Sequence, residues 1–339
     1  MALVSALLAT LLVLPFGVAA LALWWAGAGD PDARARSRGR DAVWLGHAWV
    51  DGRKGPADLA GLPQLVRGGV RDLYVHAGPL EHDGSLRADR YPAAAQLVAA
   101  VHRELPGVRV QAWLGDLVAP ESPEGLHLDD PVVRGRIVDS ARQVLDAGFD
   151  GVHYDLEPVH SGSAGFLQLL DATRAVTSAR SAPLSAAAPQ IDPPPPFGRW
   201  YPHPAPHSVA ALTGHPKWWS QQYFGEVARR VDQIAVMSYD TGMPLPSLYR
   251  GYVAQQTGLA LQAVPESVDL LMGLPAYWAD EWGHRGSAET VPAAVAGVRK
   301  GLSDRAPDRQ NIGVALYADF SATDRDWAAY RRDWCLLAS

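Results

Sequence analysis

The chain has 339 residues, 48% hydrophobic and 19% charged, a balance that fits a large globular unit and excludes disordered, collagenous, coiled-coil and multi-span membrane architectures. Thirty Lys and Arg against 36 Asp and Glu give a formal charge of -6, so no basic field exists to hold a phosphate backbone and nucleic acid is not an expected partner. The single cysteine, Cys335, rules out an intramolecular disulfide framework and any multi-cysteine metal site.

Residues 1–29 carry no charged side chain, and Ala2 to Ala26 is mostly Leu, Ala and Val. At about 1.5 Å per residue this is long enough to cross a hydrocarbon layer of about 30 Å. The segment reads as a signal peptide or signal anchor, which predicts contact with a membrane and an anchored or secreted, extracytoplasmic protein. Small-x-small patterns at Ala20–Ala22 and Ala26–Ala28 would suit cleavage, whereas Trp24 and Trp25 would suit a retained anchor at an interface. Residues 30–40 read as a polar linker with four arginines, and by the positive-inside tendency that flank prefers the cytoplasm, against export.

From residue 41 to 339 short apolar runs alternate with Ala-rich helical stretches, the pattern of parallel strands joined by crossover helices. Eight runs stand out: Ala42–Trp49, Arg71–Ala77, Val108–Leu114, Gly151–Glu157, Pro183–Ala188, Gln233–Tyr239, Asp269–Leu274 and Asn311–Tyr317. Helices are expected at Pro92–Leu105, Pro131–Ala147, Gly165–Ser178 and Pro292–Leu302. Eight strands with interleaved helices predict an α/β fold, a single-domain (β/α)₈ TIM barrel, which typically takes about 250 residues plus insertions. No Gly-x-Gly-x-x-Gly follows the first run, which weighs against a dinucleotide-binding sheet. After the fifth run, residues 191–220 form a Pro- and Trp-rich insertion that can be neither helix nor central strand. It reads either as a wall of a cleft or as a stiff surface excursion.

The fourth run carries the sharpest chemistry. Strand alternation puts His153, Asp155 and Glu157 on one face and Val152, Tyr154 and Leu156 on the other. If the second set packs under helices, the first points into the barrel, with Glu157 at the carboxyl end where such barrels open. An ionised Asp155 beside a partly buried Glu157 would keep the glutamic acid protonated towards neutral pH, as a general acid requires.

The stretch Asp150-Gly151-Val152-His153-Tyr154-Asp155-Leu156-Glu157 resembles the D-G-x-D-x-D-x-E motif of family 18 glycoside hydrolases, the chitinase and endo-β-N-acetylglucosaminidase family, and departs from it at His153. Met237-Ser238-Tyr239-Asp240 is similar to that family's M-x-Y-D segment, and Tyr317 falls where the family usually has a tryptophan under the sugar ring. The resemblance implies retaining hydrolysis of β-linked N-acetylhexosamine glycans, chitin-like or from cell walls, in which the substrate's own acetamido oxygen attacks the anomeric carbon. It implies that Glu157 is the acid and base, that Asp155 orients the acetamido N–H, and that Tyr239 bonds the acetamido oxygen. Asp240 would hold a hydroxyl or the water, Met237 would line the pocket floor, and Asp150, His153, Tyr317 and Trp113 join the expected substrate-binding set. His153 would be a tuned substitute bonding Asp155, and His153→Asp would then raise or broaden activity.

Weaker signals follow the seventh run. Tyr277 and Trp278 are expected at the site by position, and Glu281 and His284 are possible polar contacts. Trp218, Trp219 and Trp282 could extend a stacking platform, although single aromatics are more often packing groups. His76, His82, His203, His207 and His215 read as loop histidines, so neither a metal nor a cofactor is expected. The expectation is a monomeric glycosidase with a carbohydrate substrate; the alternatives are a catalytically degenerate glycan-binding barrel and a hydrolase of another class on the same fold.

Overall fold

The computed structural model describes residues 17–193, 218–280 and 283–337. Eight strands close into a barrel: β1 (Asp41–Leu45), β2 (Val70–His76), β3 (Arg109–Leu117), β4 (Gly151–Glu157), β5 (Leu184–Ala188), β8 (Gln233–Val236), β9 (Asp269–Pro275) and β10 (Ile312–Tyr317). Every neighbouring pair is parallel, which requires a crossover after each strand and places helices around the outside. The expected (β/α)₈ barrel is therefore the observed fold. Two short strands, β6 (Gln190–Ile191) and β7 (Trp218–Trp219), pair separately beyond β5. They tie together the two ends of the expected insertion, whose residues 194–217 lie outside the described residues, as do His203, His207 and His215.

The strands are apolar because both of their faces are covered. In β4, Val152, Tyr154 and Leu156 are buried on the outer face, and the Tyr154 hydroxyl meets Thr173 Oγ1 at 2.9 Å on the helix Ala164–Ser178. The helix Pro131–Asp146 is started by Asp130, whose carboxylate accepts the Val132 N–H at 2.8 Å. Asp130→Ala is expected to cost ~1 kcal/mol of stability without touching the cleft. An unchanged denaturation midpoint would show that the cap does not form in solution.

The barrel interior is polar at its base and aromatic above. Asp72 is fully buried; burial would raise its carboxyl, but the Arg109 guanidinium and the Gln111 amide bring it below the ordinary carboxylate range. Arg109 reaches it at 2.7 and 2.8 Å, Gln111 at 2.8 Å and Gln233 at 3.0 Å. One layer higher, the His153 ring stacks on Tyr74 with centroids 3.7 Å apart and an 8° interplanar angle.

Residues 17–27 form a helix against the barrel wall. It meets the helix Pro246–Ala263 where Gly27 and Gly251 approach, and a Cβ on Gly251 would lie 1.8 Å from the Leu23 carbonyl oxygen. Val18, Leu21, Trp24 and Trp25 face outward. Most of the expected signal or anchor, residues 1–16, lies outside the described residues, and among the described residues no helix is long and apolar enough to cross a membrane. The stretch 30–40 is fastened to the barrel base: Arg34 pairs with Asp308 at 2.8 Å and Arg38 donates to the Pro307 carbonyl at 2.9 Å.

Candidate active site

A cleft of about 350 Å³ opens at the carboxyl end of the barrel, within the usual size range of small-molecule sites. Asp155 and Glu157 from β4, Met237, Tyr239 and Asp240 from the segment after β8, and Tyr317 from the end of β10 all line it. Alternation along β4 thus delivers both carboxylates to one wall. Asp155 is half-buried, whereas Glu157 reaches solvent within the cleft while protein encloses its other sides. Burial raises the Glu157 carboxyl above the ordinary range, and the charges of Asp155 and Asp240 add to that rise. Burial also raises Asp155, opposed by the nearby Trp113 indole N–H. Trp113 Nε1 and Asp155 Oδ1 are nonetheless both buried without a well-formed hydrogen bond.

The segment after β8 leaves the ladder at Val236, three residues earlier than expected. The Gln190 side chain holds it there, its amide donating to the carbonyls of Met237 at 3.0 Å and Tyr239 at 2.5 Å. Asp240 then adopts a left-handed conformation, φ 57°, which aspartate tolerates better than most residues. The Tyr239 ring fits only because Gly273 on β9 has no side chain; a Cβ there would lie 2.7 Å from the ring. Tyr317 stacks beside it, 5.6 Å between centroids at 24°. Tyr277 donates its hydroxyl to Asp240 Oδ1 at 2.5 Å.

Asp240, His284 and Glu289 are, among the described residues, the one trio of histidine and carboxylate side chains gathered closely enough to share a cation. The His284 ring itself stands between the two carboxylates. His284 Nδ1 lies 3.1 Å from Asp240 and 3.7 Å from Glu289. Burial would lower its pKa, but the two carboxylates raise it overall and favour the charged ring.

Five expected site residues do not line this cleft. Asp150 precedes β4 at the opposite end of the barrel, where its carboxylate accepts the Val110 N–H at 2.7 Å and pairs with His102. His153 is fully buried one layer below. The Trp44 indole N–H, which can only donate, meets its Nε2 at 3.1 Å, so the ring proton sits on Nδ1 and faces Ser185 Oγ at 2.7 Å. Burial pushes its pKa down to about 3, and neither ring nitrogen is left for Asp155. Trp278 turns away, donating to Asp326 at 3.1 Å under the Arg325 guanidinium. Trp113 lies beneath the cleft, edge-on to Tyr317 at 6.2 Å. Tyr277 takes part through Asp240 rather than by lining the wall. Trp219 is buried, with its indole on the Val159 carbonyl at 2.7 Å, while Glu281 and Trp282 lie outside the described residues. His82 pairs with Asp116 at 2.9 Å and His76 packs edge-on to Trp113, far from any shared ligand geometry. The sequence reading missed Gln190, Leu117, Val159 and Ala187 on the cleft walls; none sits in a recognisable motif.

The fold and its cleft define a parallel eight-stranded barrel with a carboxylate pair at the carboxyl ends of the strands. No family model matches the sequence, and no curated protein matches it. Solved structures do share its fold. The spore cortex-lytic enzyme SleL of Bacillus megaterium QM B1551 superposes with TM-score 0.60 at 12% identity, over 88% of this chain and 75% of that one. A chitinase from Chromobacterium violaceum ATCC 12472 gives 0.58 at 14%, over 88% and 99%. The Group IV chitinase of Ostrinia furnacalis gives 0.53 at 15%, over 83% and 93%.

Proposed function

We propose that the protein is a glycoside hydrolase that cleaves β-linked N-acetylhexosamine glycans with retention, using the substrate's acetamido oxygen as nucleophile. The observation that carries this reading is the convergence, in one cleft, of Asp155 and an acidity-suppressed Glu157 with Tyr239 and Tyr317 from across the barrel. Chitinases and a cortex-lytic enzyme among the fold's neighbours support it.

In this mechanism Glu157 gives its proton to the departing glycosidic oxygen and later takes one from water. Asp155 accepts the acetamido N–H and offsets the positive charge that grows on the ring formed by self-attack. Tyr239 donates its hydroxyl to the acetamido oxygen, and the Tyr317 ring carries the apolar face of the sugar. Asp240 binds a sugar hydroxyl or the water. The chemistry calls for no metal or cofactor.

A chromogenic N-acetylglucosamine oligomer assay tests the reading, with Glu157→Gln as control. Activity that survives in the control, or that disappears on chelation, would point to another class of hydrolase. Sugar binding with no turnover in the wild type would point to a glycan-binding barrel. Tyr239→Phe is expected to lower kcat about tenfold, since the lost hydroxyl acts mainly on the developing charge; an unchanged kcat would remove Tyr239 from the chemistry.

A further inference from the structure

We propose that His284 is a positioning residue of the cleft: its ring, wedged between the carboxylates of Glu289 and Asp240, holds Asp240 in place beside Glu157. The catalytic consequence rests on the glycosidase reading, whereas the coupling between the residues does not.

The geometry is that of a cage. Glu289 is fully buried, and its carboxylate accepts the backbone N–H groups of Thr241, Gly242 and Arg285, at 2.9 Å for Gly242. It is thereby fixed to the segment that carries Asp240. His284 is only 2% exposed, and the Tyr277 ring covers it at 4.1 Å between centroids. Its Nδ1 lies between Asp240 and Glu289 without a well-formed hydrogen bond to either, so it serves both by charge rather than one by direction. Tyr277 closes the cage by donating to the same Asp240 oxygen, and Tyr249 stands behind, its hydroxyl on the Ser238 carbonyl at 3.0 Å.

Side-chain atoms of Asp240, His284 and Glu289 all lie within 4.8 Å of one another. Without the His284 ring between them, two carboxylates this close repel. Glu289 is buried and held by three backbone donors, whereas the Asp240 side chain is half exposed, so Asp240 is the one to swing into solvent. That removes its charge from the cleft. The charged and titratable groups facing Glu157 are Asp155, Asp240, Tyr239 and Tyr317; His284 reaches it only through Asp240.

The test follows the Glu157 carboxyl by ¹³C NMR titration, and kcat/KM against pH, in the wild type, His284→Asn and His284→Leu. Asn keeps a donor in the place of Nδ1 without the charge, and decides the matter if the Leu variant fails to fold. The same substitutions are then made in an Asp240→Asn background. The expected result is a Glu157 titration, and with it the basic limb of the profile, displaced downward by about one pH unit, roughly tenfold in rate on that side. The displacement should vanish when Asp240 is already Asn. A Glu157 titration that stays put or rises in both His284 variants, or effects that add in full with Asp240→Asn, would overturn the proposal. A wild type without glycosidase activity whose Glu157 titration still responds to His284 would instead sink the proposed function and leave the coupling standing.

Discussion

Glu157→Gln should reduce kcat for N-acetylglucosamine oligomers by about 10³-fold, the size expected when a positioned acid is replaced by a group that cannot release a proton. KM should change little, because the amide keeps the shape of the side chain and the proposed mechanism assigns the sugar contacts to other residues. The same variant should fold at least as stably as the wild type at neutral pH. Folding raises the Glu157 carboxyl, through burial first and then through Asp155 and Asp240. A carboxyl raised in the folded state destabilises that state progressively as pH climbs from its unfolded value through its folded one, and glutamine removes the penalty. Activity should accordingly hold through mildly acidic and neutral pH and fall on the basic side as Glu157 loses its proton. Initial rates across pH together with thermal melts check both halves. A Gln variant that is inactive and markedly less stable would show Glu157 to be a structural group.

How much of this was legible in the sequence depends on the distance over which each feature is determined. The strands were, because a parallel barrel demands apolar runs at regular intervals, and Gly151–Glu157 was placed to the residue. The end of β8 was not: Gln190, from beyond β5, holds the carbonyls of Met237 and Tyr239, and no local pattern encodes that capture. Alternation identifies which face of a strand a side chain takes but not how far along the barrel it stands. Hence Asp155 and Glu157 stand at the cleft, while His153, with the same parity, sits a layer deeper and Asp150 at the opposite mouth. Trp278 followed the right strand, yet Asp326 and Arg325 of the helix Asp324–Ala329 turn it outward. The His284 cage is assembled from residues up to 49 positions apart, so its partners could be recognised only in three dimensions.

His153→Asp should lower stability by about 3 kcal/mol, a fall in Tm of roughly 6–12 °C, and should bring no gain in activity per folded molecule. The opposite expectation, that an aspartate would speed the enzyme, assumed a side chain that touches Asp155. The structure instead puts a neutral ring in the middle of the barrel, stacked on Tyr74 and linking the Trp44 indole to Ser185, whose hydroxyl donates to Gln111 Oε1 at 2.8 Å. An aspartate there loses the stack and leaves space around Tyr74. It can still accept from Trp44, but the position is fully buried, which disfavours a charge. The new carboxyl would therefore stay protonated, and a proton held that firmly cannot help Asp155 change partners. His153→Asn keeps a donor towards Ser185 and should fall between the two in stability. Thermal melts and rates normalised to folded protein distinguish the roles. A His153→Asp variant as stable as the wild type and faster would return this residue to the catalytic machinery and place the tuning of Asp155 below the cleft rather than at its rim.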